Sequence, residues 1–233
     1  MVFFKVVFTL LVFVIVVPFT VILGVSGIVL SMFSKNLAHY CEKIYFNIIL
    51  FLTFTRVRVT GIENIEKGKN YLVISNHQSA FDIIVLSAKL PLQIRWVSKE
   101  SVFKIPIIGQ FMDAMGYIHL PRENPKKSVE IMKKYAVSVN GSPTMFPEGT
   151  RSSDGKLQRF KRGFILVARS TGLDLLPIVL KGTIRIMKKG SLIVNPFVQV
   201  EVIVLPPIDN TKVVNNEDIV DEIMELYKKY LDV

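Results

Sequence analysis

The sequence predicts an α/β fold, a mixed and largely parallel sheet flanked by helices, preceded by a hydrophobic helical segment. Two patterns and one size limit lead there. Between residues 6 and 34 no side chain is charged. After Thr55, short runs rich in β-branched residues alternate with amphipathic stretches, as βα units do. A chain of 233 residues holds one substantial domain plus an appendage rather than two full domains. The expected division is 1–55 for the helical segment and 56–233 for the α/β domain.

The uncharged stretch reaches about 43 Å as a helix, more than the roughly 30 Å hydrocarbon core of a bilayer, so the segment reads as a membrane anchor. A second uncharged stretch, 44–55, is too short to span. Pro18 and the pair Gly24 and Gly27 are expected to kink or end the first helix. That gives either one tilted span followed by an interfacial helix or a helical hairpin within one leaflet. Lys35, Lys43, Arg56 and Arg58 outnumber Lys5, which by the positive-inside rule puts the C-terminal side in the cytoplasm. A cleaved signal peptide is the competing reading, since Lys5, the apolar run and Gly24-Val25-Ser26 imitate its parts. Hydrophobicity that continues to Phe33, followed by a basic cysteine-poor domain, opposes it.

Strands are expected at 56–60, 71–75, 93–98, 116–120, 144–146, 175–180 and 199–205, and helices at 81–89, 107–115, 125–140, 163–171 and 217–231. Pro125 suits the first turn of its helix, where a missing N–H costs least, and Gly141 suits the position just past the end. Lys5 is the only charged residue before Lys35, so all but one unit of the net charge of +10 lies after the uncharged stretch. A basic surface suits anionic lipid, an acidic carrier protein or nucleic acid. The adjoining hydrophobic segment selects a membrane and sets nucleic acid aside. Cys41 has no partner for a disulfide and reads as a small buried side chain. His39, His77 and His119 lack zinc-ligand spacing, and no metal is expected.

Two turn motifs carry the chemistry. The apolar strand at 71–75 delivers Asn76-His77-Gln78-Ser79-Ala80-Phe81-Asp82 to a strand-to-helix break, the usual place for ligand sites in α/β folds. Five residues apart on one helix, His77 and Asp82 would diverge by about 140°, so they meet only if His77 precedes the helix and Asp82 lies in its first turn. An Asp bonded to the histidine Nδ1–H fixes the tautomer and leaves Nε2 to remove a hydroxyl proton. The ordinary alternative is a strand-end histidine beside a helix-capping aspartate. Ser79 is a rival nucleophile, but it lacks the G-x-S-x-G elbow and reads better as a helix cap.

The second motif is Phe146-Pro147-Glu148-Gly149-Thr150-Arg151-Ser152. Pro147 fixes φ, Gly149 allows close backbone approach, and Arg151 can grip phosphate oxygens in a fork, with backbone N–H groups, Thr150 or Ser152 adding donors. Glu148, repelled by phosphate, is expected to orient Arg151 or to bind a substrate hydroxyl. A third element, Gly116-Tyr117-Ile118-His119-Leu120-Pro121-Arg122, ends in another arginine. Lys99, Lys161 and Arg162 extend the positive field, and His119 reads as structural.

In that order, N-H-x-x-x-x-D, G-x-I-x-x-x-R, F-P-E-G-T-R-S and an apolar strand with Pro177 resemble the glycerolipid acyltransferase family, most closely its bacterial 1-acylglycerol-3-phosphate acyltransferases. The likeness spans roughly residues 70 to 185 and includes Phe160-Lys161-Arg162-Gly163. It departs at His119 and Pro121, where the family usually has an aromatic residue and an acid. The resemblance implies the glycerolipid acyltransferase fold, with His77 as general base and Asp82 as its orienter. It implies Glu148, Gly149 and Arg151 around the glycerol phosphate, with Arg122 assisting, and Thr150 and Lys99 stand beside them as candidate phosphate contacts read from the residues alone. The implied reaction moves an acyl chain from an acyl carrier protein or coenzyme A thioester to the 2-hydroxyl of lysophosphatidic acid, giving phosphatidic acid, with no tightly bound cofactor. Acyl carrier protein and an anionic bilayer are then the expected partners. An acyltransferase for glycerol 3-phosphate or another lysophospholipid is the nearest alternative, and a noncatalytic anionic-lipid-binding membrane protein the more distant one.

Overall fold

The structure is a computed structural model that describes residues 2–121, 125–138 and 141–231. Two helices lead the chain, α1 (Val2–Phe33) and α2 (Lys35–Leu52). Neither Pro18 nor the glycines end α1 as expected. The break falls at Ser34, whose side chain accepts the Leu37 N–H and so caps α2. Gly24 and Gly27 serve close packing instead: a Cβ there would stand 2.9 Å from the Ile107 side chain and 2.5 Å from the Phe111 ring. Small side chains let α1 lie flat against the domain.

The strands are β1 (Arg56–Thr60), β2 (Leu72–Ser75), β3 (Ile94–Ser98), β4 (Ile118–His119), β5 (Ser142–Met145), β6 (Leu175–Lys181) and β7 (Gln199–Val204). They form one sheet in the order β1-β7-β6-β2-β5-β3-β4. Every pairing is parallel except β6 with β7, so the expected mixed, largely parallel sheet is present. β2 is buried at all four positions, as a central strand covered on both faces must be.

After α2 the helices are α3 (Phe81–Lys89), α4 (Glu100–Phe103), α5 (Ile108–Ala114), α6 (Pro125–Ser138), α7 (Gly163–Thr171), α8 (Thr183–Ile186), α9 (Asn210–Asn215) and α10 (Ile219–Leu231). Alternation along the strands sorts them into two layers. Val73, Leu176 and Ile178 join Ile49 and Leu50 of α2 and Val85 and Leu86 of α3 in one core. Leu72, Ile74, Leu175 and Val179 face Phe164 and Val167 of α7 and Ile223 and Tyr227 of α10 in the other. α4, α8 and α9, at four to six residues, are too short to leave a 3.6-residue apolar period in the sequence, and the reading above omits them. The carboxyl ends of β2 to β6 share one end of the sheet, and the motif loops leave from there.

Candidate active site

The chain turns sharply after β2, and the turn is built from side chains. Asn76 donates from Nδ2 to the Leu180 carbonyl at 2.9 Å and accepts the Leu180 N–H on Oδ1 at 2.8 Å. Its amide thus replaces the ladder where the backbone departs from β6. His77 comes next, and Asp82 lies in the first turn of α3. Asp82 Oδ2 accepts from His77 Nδ1 at 2.7 Å and from the N–H groups of Gln78 and Ser79 at 2.7 and 2.8 Å. Three donors on one oxygen hold the carboxylate in place, and it in turn holds the imidazole. Among the described residues Nε2 carries no hydrogen bond, and the side chain is 15% exposed.

The two motifs meet through the backbone of His77. Its N–H donates to Glu148 Oε1 at 2.7 Å, and its carbonyl accepts the Ser152 N–H at 2.8 Å. Gly149, at φ 76°, makes the tight turn that brings Glu148 and Ser152 to the same residue, a conformation that glycine adopts without penalty. Among the described residues no ion pair joins Glu148 to Arg151. Glu148 Oε2 accepts the Gln158 N–H at 3.4 Å, so both oxygens face backbone donors and the side chain clamps the turn. Burial pushes its carboxyl up to about 7, against the pull of the two N–H donors and with a smaller upward push from Asp82.

Phe146, to which the motif assigned no role, lays its ring flat on the His77 imidazole at 3.8 Å between centroids and 4° between planes. Trp96 stacks behind it at 5.2 Å and donates its indole N–H to Ser87. The imidazole is therefore fixed in its plane by Asp82 and along the perpendicular by Phe146. The signal was present, since Phe146 opens the F-P-E-G-T-R-S motif, but nothing in a linear sequence tells which ring it meets.

Ser79 is settled by its contacts. It is fully buried, its hydroxyl donates to the Met187 carbonyl at 2.7 Å, and its oxygen accepts the Phe81 N–H at 3.2 Å. Ser79 thus binds the first residue of α3 from just ahead of the helix, and its hydroxyl has no exposed surface. Arg151 is partly exposed, and no carboxylate pairs with it among the described residues. Thr150 is exposed and accepts from Lys189 Nζ at 3.2 Å, a basic neighbour that the motifs did not disclose. Lys99 is exposed directly after β3, at the position preceding α4. Arg122 lies outside the described residues.

A histidine oriented by a buried carboxylate thus stands one turn away from the basic Arg151 and Lys189. The model of the Acyltransferase family matches residues 56–181, more than half of the chain. The chain belongs to the acyltransferase family. Among its acyltransferase relatives is the chloroplastic 1-acyl-sn-glycerol-3-phosphate acyltransferase LPAT1 of Arabidopsis thaliana, 36% identical over 183 residues, which are 77% of this chain and 51% of that protein. A Helicobacter pylori protein of the same enzyme name is 34% identical over 61% of each chain. This chain thus spans about half to two thirds of these relatives. The crystal structure of the 1-acyl-sn-glycerophosphate acyltransferase PlsC from Thermotoga maritima shares the fold, with a TM-score of 0.81 over 98% of this chain and 96% of that one at 24% identity.

One more contact supports the strand that leads to His77. Tyr227 of α10 inserts its hydroxyl between β2 and β6, donating to the Ile74 carbonyl at 2.9 Å and accepting the Ile178 N–H at 3.1 Å. Its ring meets Phe160 edge-on at 5.0 Å. The seam between the two central strands is parted by one hydroxyl just before the His77 turn.

Proposed function

We propose that the chain transfers an acyl group from an acyl carrier protein or coenzyme A thioester to the 2-hydroxyl of 1-acylglycerol 3-phosphate, forming phosphatidic acid. The observation that carries this reading is the His77 turn, in which a histidine oriented by Asp82 is tied through its own backbone to the loop that bears Arg151. His77 Nε2 removes the hydroxyl proton as the oxygen attacks the thioester carbonyl. The tetrahedral intermediate then expels thiolate, which takes the proton back from the imidazolium. A thioester is already activated, so no covalent acyl-enzyme is required. Arg151, with Lys189, Lys99 and Arg122, would hold the phosphate, and Glu148 acts as a positioning residue.

Residues 1–55 form the membrane-anchoring segment in this reading, and 56–233 the catalytic domain. α1 supports the one-leaflet arrangement over a span. Thr9 exchanges hydrogen bonds with the backbone of Val194, and Gly27 packs on Phe111. These contacts are about 27 Å apart along the helix, nearly a hydrocarbon core's thickness, yet both are with one domain. The exposed apolar side chains of α1 then lie in the leaflet, with the domain on the cytoplasmic face of the inner membrane.

The deciding assay uses purified protein, lysophosphatidic acid in vesicles, and labelled acyl-acyl carrier protein or acyl-coenzyme A, with His77→Ala alongside. Phosphatidic acid formed by the native protein and not by the variant is expected. Transfer to glycerol 3-phosphate alone would shift the acceptor, and lipid binding without any transfer would refute an enzymatic role.

A further inference from the structure

Among the described residues, the non-glycine positions with positive φ include Phe54 at 50° and Phe197 at 60°. Such a backbone is costly for any residue with a side chain and persists only where something holds it in place. Here the two strained phenylalanines sit side by side. The Phe197 N–H donates to the Thr53 carbonyl at 3.3 Å, and the rings stack at 4.8 Å with 22° between planes. They are not hidden by this strain but displayed, 49% and 69% exposed. Phe8 of α1 stands 6.3 Å from Phe54, and Phe4 6.3 Å from Phe8, so the pair continues a row of rings begun on the apolar helix.

Two residues beyond each phenylalanine lie Arg56 and Gln199, register partners that open a cleft of about 360 Å³ between β1, β7 and the end of β6. Arg56, Arg58, Lys181 and Arg185 line it, against the single acid Glu201. Arg185 is steadied by a 2.8 Å bond from Nη2 to the Gln199 carbonyl. An apolar ridge in front of a basic hollow matches one chemistry, acyl chains beneath phosphate headgroups.

We propose that Phe54 and Phe197 form a wedge that enters the acyl boundary of an anionic bilayer while Arg56, Arg58 and Arg185 take lipid phosphates, giving the catalytic domain a membrane contact of its own beside α1 and α2. This rests on the membrane-facing reading of the N-terminal helices. An acidic carrier protein would satisfy the arginines but would leave two exposed rings, aligned with those of an apolar helix, without an apolar partner. The contact has a mechanical reach. Leu180, bonded to Asn76, immediately precedes Lys181 in the cleft wall, so the edge that meets lipid and the turn that carries His77 share one strand.

Phe197→Trp tests insertion without any acyl transfer, because it keeps an aromatic ring and the sole native tryptophan, Trp96, is buried. Anionic vesicles with brominated acyl chains should quench and blue-shift the new indole. An emission unchanged in protein that sediments with the vesicles would overturn the wedge and leave the proposed reaction standing. Phe197→Gly relieves the strained backbone, so melting temperature should hold or rise. Turnover of vesicle-borne lysophosphatidic acid should nevertheless fall roughly five- to tenfold, with turnover of a water-soluble short-chain acceptor unchanged. Equal losses on both acceptors would make the residue structural. A loss specific to acyl carrier protein as donor, absent with acyl-coenzyme A, would assign the surface to the carrier and refute the lipid contact.

Discussion

On the β2 side of the site, His77 is held by its ring nitrogen, its ring face, its N–H and its carbonyl, through Asp82, Phe146, Glu148 and Ser152. On the β5 side, Arg151 and Thr150 stand at the surface, with Lys189 reaching over to the threonine. The contrast separates two ways of assembling a site. A group that moves a proton gains from being fixed before substrate arrives. Cations that grip a phosphate gain from remaining hydrated until the ligand supplies their counter-charge, since a buried unpaired cation would be costly.

His77→Ala tests the fixed side most severely. Turnover should fall about a hundred- to ten-thousandfold in a folded protein, and near-native rates would remove the general base. Arg151→Ala tests the open side. kcat/KM for lysophosphatidic acid should fall about ten- to a hundredfold, chiefly through KM, as expected for a lost hydrogen bond to a charged group. A monoacylglycerol lacking the phosphate should be spared, and equal losses with both acceptors would erase the distinction between the halves.

Glu148→Gln probes how the halves are joined. The folded carboxyl titrates near 7 against an ordinary 4.5, so the folded state binds the proton more tightly. Its stabilising effect is full below about pH 4.5 and is lost as pH rises to about 7, with a slope approaching 1.4 kcal/mol per unit. Subtracting the melting profile of the variant from that of the native protein should isolate this slope, and parallel profiles would show that the clamp does not titrate there. Ser79→Ala should have the smallest effect, about 1 kcal/mol of stability for a buried hydroxyl's bonds, with turnover nearly intact. Covalent labelling of native Ser79 by a fluorophosphonate would contradict its burial.

The strands were legible because each is an apolar or alternating run bounded by turn residues, and the His77–Asp82 pairing because the spacing allows one geometry. What escaped depended on partners distant in sequence. Glu148 meets a backbone N–H seventy-one residues away, and Tyr227 reaches a carbonyl at a separation of 153. No local pattern encodes such meetings. Gly24 and Gly27 were misread for the same reason: their smallness answers to Ile107 and Phe111, not to the helix that contains them.

The hydroxyl of Tyr227 also sets an order of events. Strand β2 leaves the ribosome early, yet its seam with β6 includes an atom of α10, so that helix must be made before the seam can close. With α1 and α2 as the proposed anchor, a nascent chain would meet the bilayer through them long before His77 stands in its finished setting. The amide of Ile178, bonded to that hydroxyl instead of to a neighbouring strand, is then a clock for completion. Its hydrogen exchange should slow only when α10 docks, and until then the turn that carries His77 lacks its finished support.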